Sequence, residues 1–123
     1  MLNNNHKNHK TKLTYHDDFL LFIRANNYSK ETLYNYERDL NTFALFLTCE
    51  MGNIAFEDIN KQTIEQYKAY LNSDDRRTAT GKIAKQDLAS GSINRTLTSL
   101  RRYLTYLIDM DYSAPIPPGS IKL

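Results

Sequence analysis

Two arginines, Arg95 and Arg102, stand seven residues apart in a stretch that reads as helical. Two helical turns separate them, which sets them on one stripe about 10 Å apart along the axis. A guanidinium so placed can grip a phosphate with paired hydrogen bonds or read the N7 and O6 edge of guanine. Their neighbourhood is basic. From Arg76 to Ile108 there are 7 basic residues against Asp87 alone, whereas from Leu13 to Asp75 there are 5 basic against 11 acidic. The net charge of +2 hides this division. One end of the domain is therefore a candidate phosphate-facing surface, and a solvated basic face accounts for the charge equally well.

Other reactive side chains form no catalytic set. Cys49 is the single cysteine, which precludes an intramolecular disulfide and suits a reducing, cytoplasmic setting; it is expected to fill buried space. His6, His9 and His16 all lie near the N-terminus, so a Cys/His pair needs the tail to fold back. His6 and His9 have the spacing of a metal clip but lack helix signals and further ligands. Neither a metal nor a cofactor is expected. A small enzyme would require a carboxylate pair, a metal cluster or a nucleophile with its base, and none is recognisable. No long uncharged apolar run suggests a membrane span, and no basic-then-apolar leader suggests secretion.

The elements that must position the arginines are helical. Residues Met1–Lys12 are rich in Asn, Lys and His and are expected to form a disordered tail. Tyr15–Asn26 carries Tyr15, Phe19, Phe22 and Ile23 at helical spacing, with Asp17 and Asp18 in the first turn and Asn26-Asn27 at its close. A second helix starts at the cap Ser29, with Tyr28 and Leu33 as a hydrophobic staple, and runs from Lys30 to about Cys49. Its stripe is Leu33, Tyr36, Leu40, Phe43, Ala44 and Leu47; Glu31, Tyr34, Asn35, Arg38 and Thr42 lie opposite. Leu45 and Phe46 fall off that stripe. A third helix, capped by Asn60 and stapled by Ile59 and Ile64, ends near Asn72. Ser73–Ala89 reads as a long loop. The fourth helix runs from a Ser90 cap to about Asp109 on Ile93, Leu97, Leu100, Leu104, Leu107 and Ile108; its far face is Ser92, Arg95, Ser99, Arg102 and Tyr106. Ser113–Leu123 holds all three prolines and reads as an extended linker.

Ser29-Lys-Glu-Thr32-Leu-Tyr-Asn-Tyr36-Glu-Arg-Asp39-Leu40-Asn-Thr-Phe43-Ala-Leu-Phe46-Leu47 resembles the opening motif of the core-binding domain in Xer-type and lambda-type tyrosine recombinases. Ser92-Ile93-Asn94-Arg95-Thr96-Leu97-Thr98-Ser99-Leu100-Arg101 is similar to that family's later helix, and the order of the intervening parts agrees. The resemblance implies an all-α, four- to five-helix bundle of the SAM-like type over residues 13–112. It also implies that residues 113–123 lead toward a catalytic domain absent from this chain. The implied partners are double-stranded DNA, that catalytic domain and other recombinase protomers. In the family the second and fourth helices lie across the major groove and its backbone. By position in the motifs, Thr32, Tyr34, Asn35 and Arg38 on the one, and Ser92, Arg95, Ser99 and Arg102 on the other, are the implied DNA contacts. Strand cleavage by a tyrosine belongs to the separate domain, so this chain is expected to be noncatalytic.

A competing reading is a helical protein-interaction module or regulator without DNA binding. Apolar residues off a core stripe, here Leu45 and Phe46, can mark a partner surface. Glu31 and Glu37 also bring negative charge onto or beside the second helix's proposed DNA face. Arg101, nearer the core boundary, is divided between an internal ion pair and DNA.

Overall fold

A computed structural model describes residues 12–73 and 90–123. The expected tail up to residue 11 and the expected loop from residue 74 to 89 lie outside the described residues. Four α-helices follow one another: α1 (His16–Ala25), α2 (Lys30–Cys49), α3 (Lys61–Leu71) and α4 (Ser90–Asp109). Short 3-10 turns occupy Phe56–Asp58 and Pro118–Ser120. Among the described residues there is no strand.

Local chemistry explains the boundaries. Ser29 accepts the amide of Thr32 at 3.1 Å and thereby caps α2. Asn60 and Thr63 exchange side-chain and backbone hydrogen bonds in a full capping box at α3, with Ile59 and Ile64 buried on either side. α1 stops where Asn27 turns left-handed (φ 63), letting Tyr28 donate its amide back to the Ile23 carbonyl. Asp111 ends α4 in the same way, with the Tyr112 amide on the Leu107 carbonyl at 2.8 Å. Tyr28 meets the Tyr36 ring edge-on, 6.4 Å between centroids.

α2 is the hub, packed on α1 and on α4. Leu40, Phe43, Ala44 and Leu47 are buried, as are Leu97, Leu100, Leu104 and Leu107 of α4. α3 enters through Tyr67, whose ring lies 4.7 Å from Phe43 and 5.0 Å from Phe46. Phe46, read from sequence as off-stripe, is thus a core residue, and Leu45 is half-buried. Phe46 therefore forms no exposed partner surface, because Tyr67 and Tyr70 of α3 cover it.

Two further expectations change. Cys49 is exposed at the last position of α2, where the chain leaves the bundle. The proline-rich end is no free linker: Ile116 and Ile121 are buried and the Pro118–Ser120 turn packs on α4. Tyr112 stacks on Tyr15 at 3.9 Å and 3°, and the Tyr103 hydroxyl donates to the Thr14 carbonyl. These contacts hold Tyr15 in its left-handed backbone (φ 62) at the start of α1.

Leu97→Ala is expected to cost about 2–5 kcal/mol, because it removes most of a fully buried side chain and leaves a cavity in the core; urea denaturation measures it. His16 is buried with neither ring nitrogen hydrogen-bonded among the described residues. Burial lowers its pKa below 6.5, with Asp17 opposing. A folded value below the unfolded one means that protonation favours the unfolded chain. Stability should be complete above about pH 6.5 and decline as the pH falls from there toward the lowered folded value. Melting temperatures at about pH 7.5 and about pH 5.5 should differ in the native chain and converge in His16→Leu.

Candidate nucleic-acid interface

The site is built around an acid. Asp39 sits on α2 between Tyr36 and Phe43, on the side that faces the bundle, and only 4% of it is exposed. A buried carboxylate must be met by cations and hydrogen-bond donors, since water no longer solvates it. α4 supplies both. Arg95 and Ser99, one turn apart, present to the same side: Arg95 Nη1 lies 3.0 Å from Oδ1 and 2.8 Å from Oδ2, and Ser99 Oγ donates to Oδ2 at 2.6 Å. Arg38 Nε approaches Oδ1 at 3.8 Å. One carboxylate thus ties α2 to α4.

Above this pairing lies an open groove of about 170 Å³, lined by Thr32, Asn35, Tyr36, Arg95, Thr98 and Ser99. It adjoins the first turn of α2, where the helix dipole favours negative charge and the Thr32 amide is already taken by Ser29 Oγ. The Thr32 hydroxyl accepts from Ser29 Oγ at 2.9 Å, and Thr98 Oγ1 donates to the Asn94 carbonyl at 2.8 Å. Burial raises the Tyr36 phenol pKa, so Tyr36 stays a neutral hydroxyl. Arg95 keeps 38% of its side chain exposed, and its Nε and Nη2 have no partner among the described residues. The groove therefore offers amide, hydroxyl and guanidinium donors above a neutralising carboxylate, a set that suits one phosphodiester oxygen pair.

Of the residues singled out in the sequence, Thr32, Asn35, Arg95 and Ser99 meet in this groove. Tyr34 is exposed beside it, with the Arg38 guanidinium 5.5 Å from its ring centroid. Ser92 is half-buried nearer the start of α4. Arg102 points elsewhere, its guanidinium 5.1 Å from the ring centroid of Phe22 on α1.

The expected far face of α4 is corrected in two places. Ser99 and Tyr106 are buried, Tyr106 against Phe19, Phe22 and Tyr112, while Ile108, expected in the core, is 48% exposed. α1, α2 and the C-terminal segment together cover a wider and rotated arc of α4 than its leucine stripe suggests. Ser99 thus reaches the groove from its floor. Asp39, Tyr36 and Thr98 belong to the site although no sequence motif marks them as DNA contacts. For Asp39 a signal existed: an acid on the core side of a helix demands a cation from a neighbour. Among the described residues Arg101 makes no ion pair.

A family model described as "Phage integrase, N-terminal SAM-like domain" matches residues 16–110. The chain is 34% identical over 84 residues to a protein named tyrosine recombinase XerC from Lacticaseibacillus casei (strain BL23), covering 68% of this chain and 24% of that one. It is 39% identical over 57 residues to the protein of the same name from Pelobacter propionicus, covering 46% and 19% respectively. The chain therefore spans about a quarter or less of the curated relatives it matches. No solved structure matches it significantly.

The ion pair makes Arg95 structural as well as exposed. Arg95→Ala leaves Asp39 buried with Ser99 as its main partner and should destabilise the fold by about 2–4 kcal/mol. Arg102→Ala, losing a contact with one aromatic face, should cost about 0.5–1 kcal/mol. Denaturant titration of both variants checks the order, and equal losses would show that the Asp39 pairing carries no particular weight.

Proposed function

Because the chain belongs to the phage integrase N-terminal SAM-like domain family, we propose that it is the core-binding part of a tyrosine recombinase, gripping duplex DNA sequence-selectively at the recombination site. The observation that supports this most directly is the convergence of Thr32, Asn35, Arg95 and Ser99 on one groove between the start of α2 and α4. Tyr34, Arg38 and Ser92 extend the contact along the same two helices, and Arg102, turned toward Phe22, adds a separate cation outside the groove. Phosphate contacts set the register, and arginines at the groove edges supply base readout. Strand cleavage falls to a catalytic domain of the same full-length protein, and neighbouring protomers on DNA are further partners. Leu21, Ile108 and Met110, apolar and about half exposed or more, favour such protein contacts and are what an interaction module without DNA binding would use.

Fluorescence anisotropy with duplex DNA tests the proposal. Binding should be in about the micromolar range and weaken as salt rises, because each phosphate contact releases counterions. Arg102→Ala should lower the salt slope by about one or weaken binding by about 1–3 kcal/mol. Lys68→Ala on α3, whose ammonium already faces Glu65 at 3.6 Å, should change little. Affinity independent of salt would favour the interaction module, and equal effects of the two substitutions would leave only diffuse charge.

A further inference from the structure

The Asp39 carboxylate takes one nitrogen of Arg95 and leaves two. Nη1 is held by both carboxylate oxygens, at 3.0 and 2.8 Å, while Ser99 Oγ fixes the carboxylate at 2.6 Å. The Nε and Nη2 donors remain, on a side chain that lines the groove with Thr32, Asn35 and Thr98. An unrestrained arginine loses considerable rotamer freedom when it binds a phosphate; one already clamped from behind has lost much of it on folding.

The geometry points to Asp39 as a positioning residue for DNA: by holding Nη1 it presents the Nε and Nη2 edge of Arg95 to a single backbone phosphodiester in the groove. This rests on reading the groove as a DNA contact. The same carboxylate cancels the charge of Arg95, so this contact works through hydrogen-bond geometry more than through field strength. Simple electrostatics and positioning therefore predict opposite signs for Asp39→Asn. Removing a negative charge beside DNA should tighten binding if only charge matters, and weaken it if Asp39 acts by aiming Arg95.

The test measures binding of the 123-residue chain to duplex DNA across a salt series, with helical circular dichroism recorded for each variant. Asp39→Asn should bind about tenfold more weakly despite its more positive charge, and Arg95→Ala should weaken binding at least as much. In the Arg95→Ala background, Asp39→Asn should add nothing further. Should Asp39→Asn fail to fold, Ser99→Ala decides: it loosens the carboxylate without changing charge and should weaken binding by about threefold at an unchanged salt slope. In the DNA-free chain, the Arg95 Nε–H signal should show a rigid heteronuclear NOE. An Arg95→Ala variant that binds like the native chain would overturn the groove as the DNA contact. If Arg95→Ala is weak while Asp39→Asn or a folded Ser99→Ala binds as tightly as the native chain, the contact stands and the positioning role falls. A freely mobile Arg95 Nε–H in the native chain would overturn the positioning role independently of any binding measurement.

Discussion

A carboxylate withdrawn from water between two helices constrains most of what surrounds it. Asp39 is stable there only while α4 delivers a guanidinium and a hydroxyl from successive turns at hydrogen-bond distance. The attraction between the charges is offset in large part by their desolvation, so such a pair contributes less to net stability than to exclusiveness. Slipping α4 by one turn along α2 would put Ser99 and Tyr103, or Gly91 and Arg95, where Arg95 and Ser99 now stand, and the carboxylate would lose its paired guanidinium and hydroxyl. Leucine stripes alone tolerate such a slip far better, because hydrophobic contact is not directional. The ion pair thus sets the axial register of the hub helices, and the groove above it inherits that register.

On the other side of α4 the constraint is aromatic. Phe19 meets Tyr36, Tyr103 and Tyr106 with centroids 5.4 to 5.8 Å apart, and Tyr106 in turn meets Phe22 and Tyr112. This cluster joins α1, α2, α4 and the C-terminal segment. Because Tyr15 is stacked on Tyr112, the two ends of the described chain close over the same place. Arg102 lies on Phe22 at its edge, its cation held by a ring face while the rest of the side chain stays half-buried. The two arginines that share a stripe on α4 are therefore anchored by unlike forces, Arg95 by a carboxylate and Arg102 by a ring.

The sequence by itself determined the helices and most of their ends. Ser29, Asn60 and the Asn26-Asn27 pair act through bonds spanning a few residues, so their effect is local and visible in one dimension. It also determined the cores of α2 and α4, since Leu40, Phe43, Leu97, Leu100 and Leu104 recur with the helical period, and it carried the family resemblance through the same motifs. What only the tertiary structure decided was how many sides of each helix are covered. Phe46 is core because α3 lies over it, Tyr106 is buried because α1 and Tyr112 enclose it, and Ile121 is buried because the chain returns across α4. The same holds for the site. Asp39 and Arg95 are 56 residues apart, and no periodicity links them. A helical wheel describes one helix in isolation, whereas the fate of a charged side chain depends on which neighbour takes it out of water and what that neighbour offers in return.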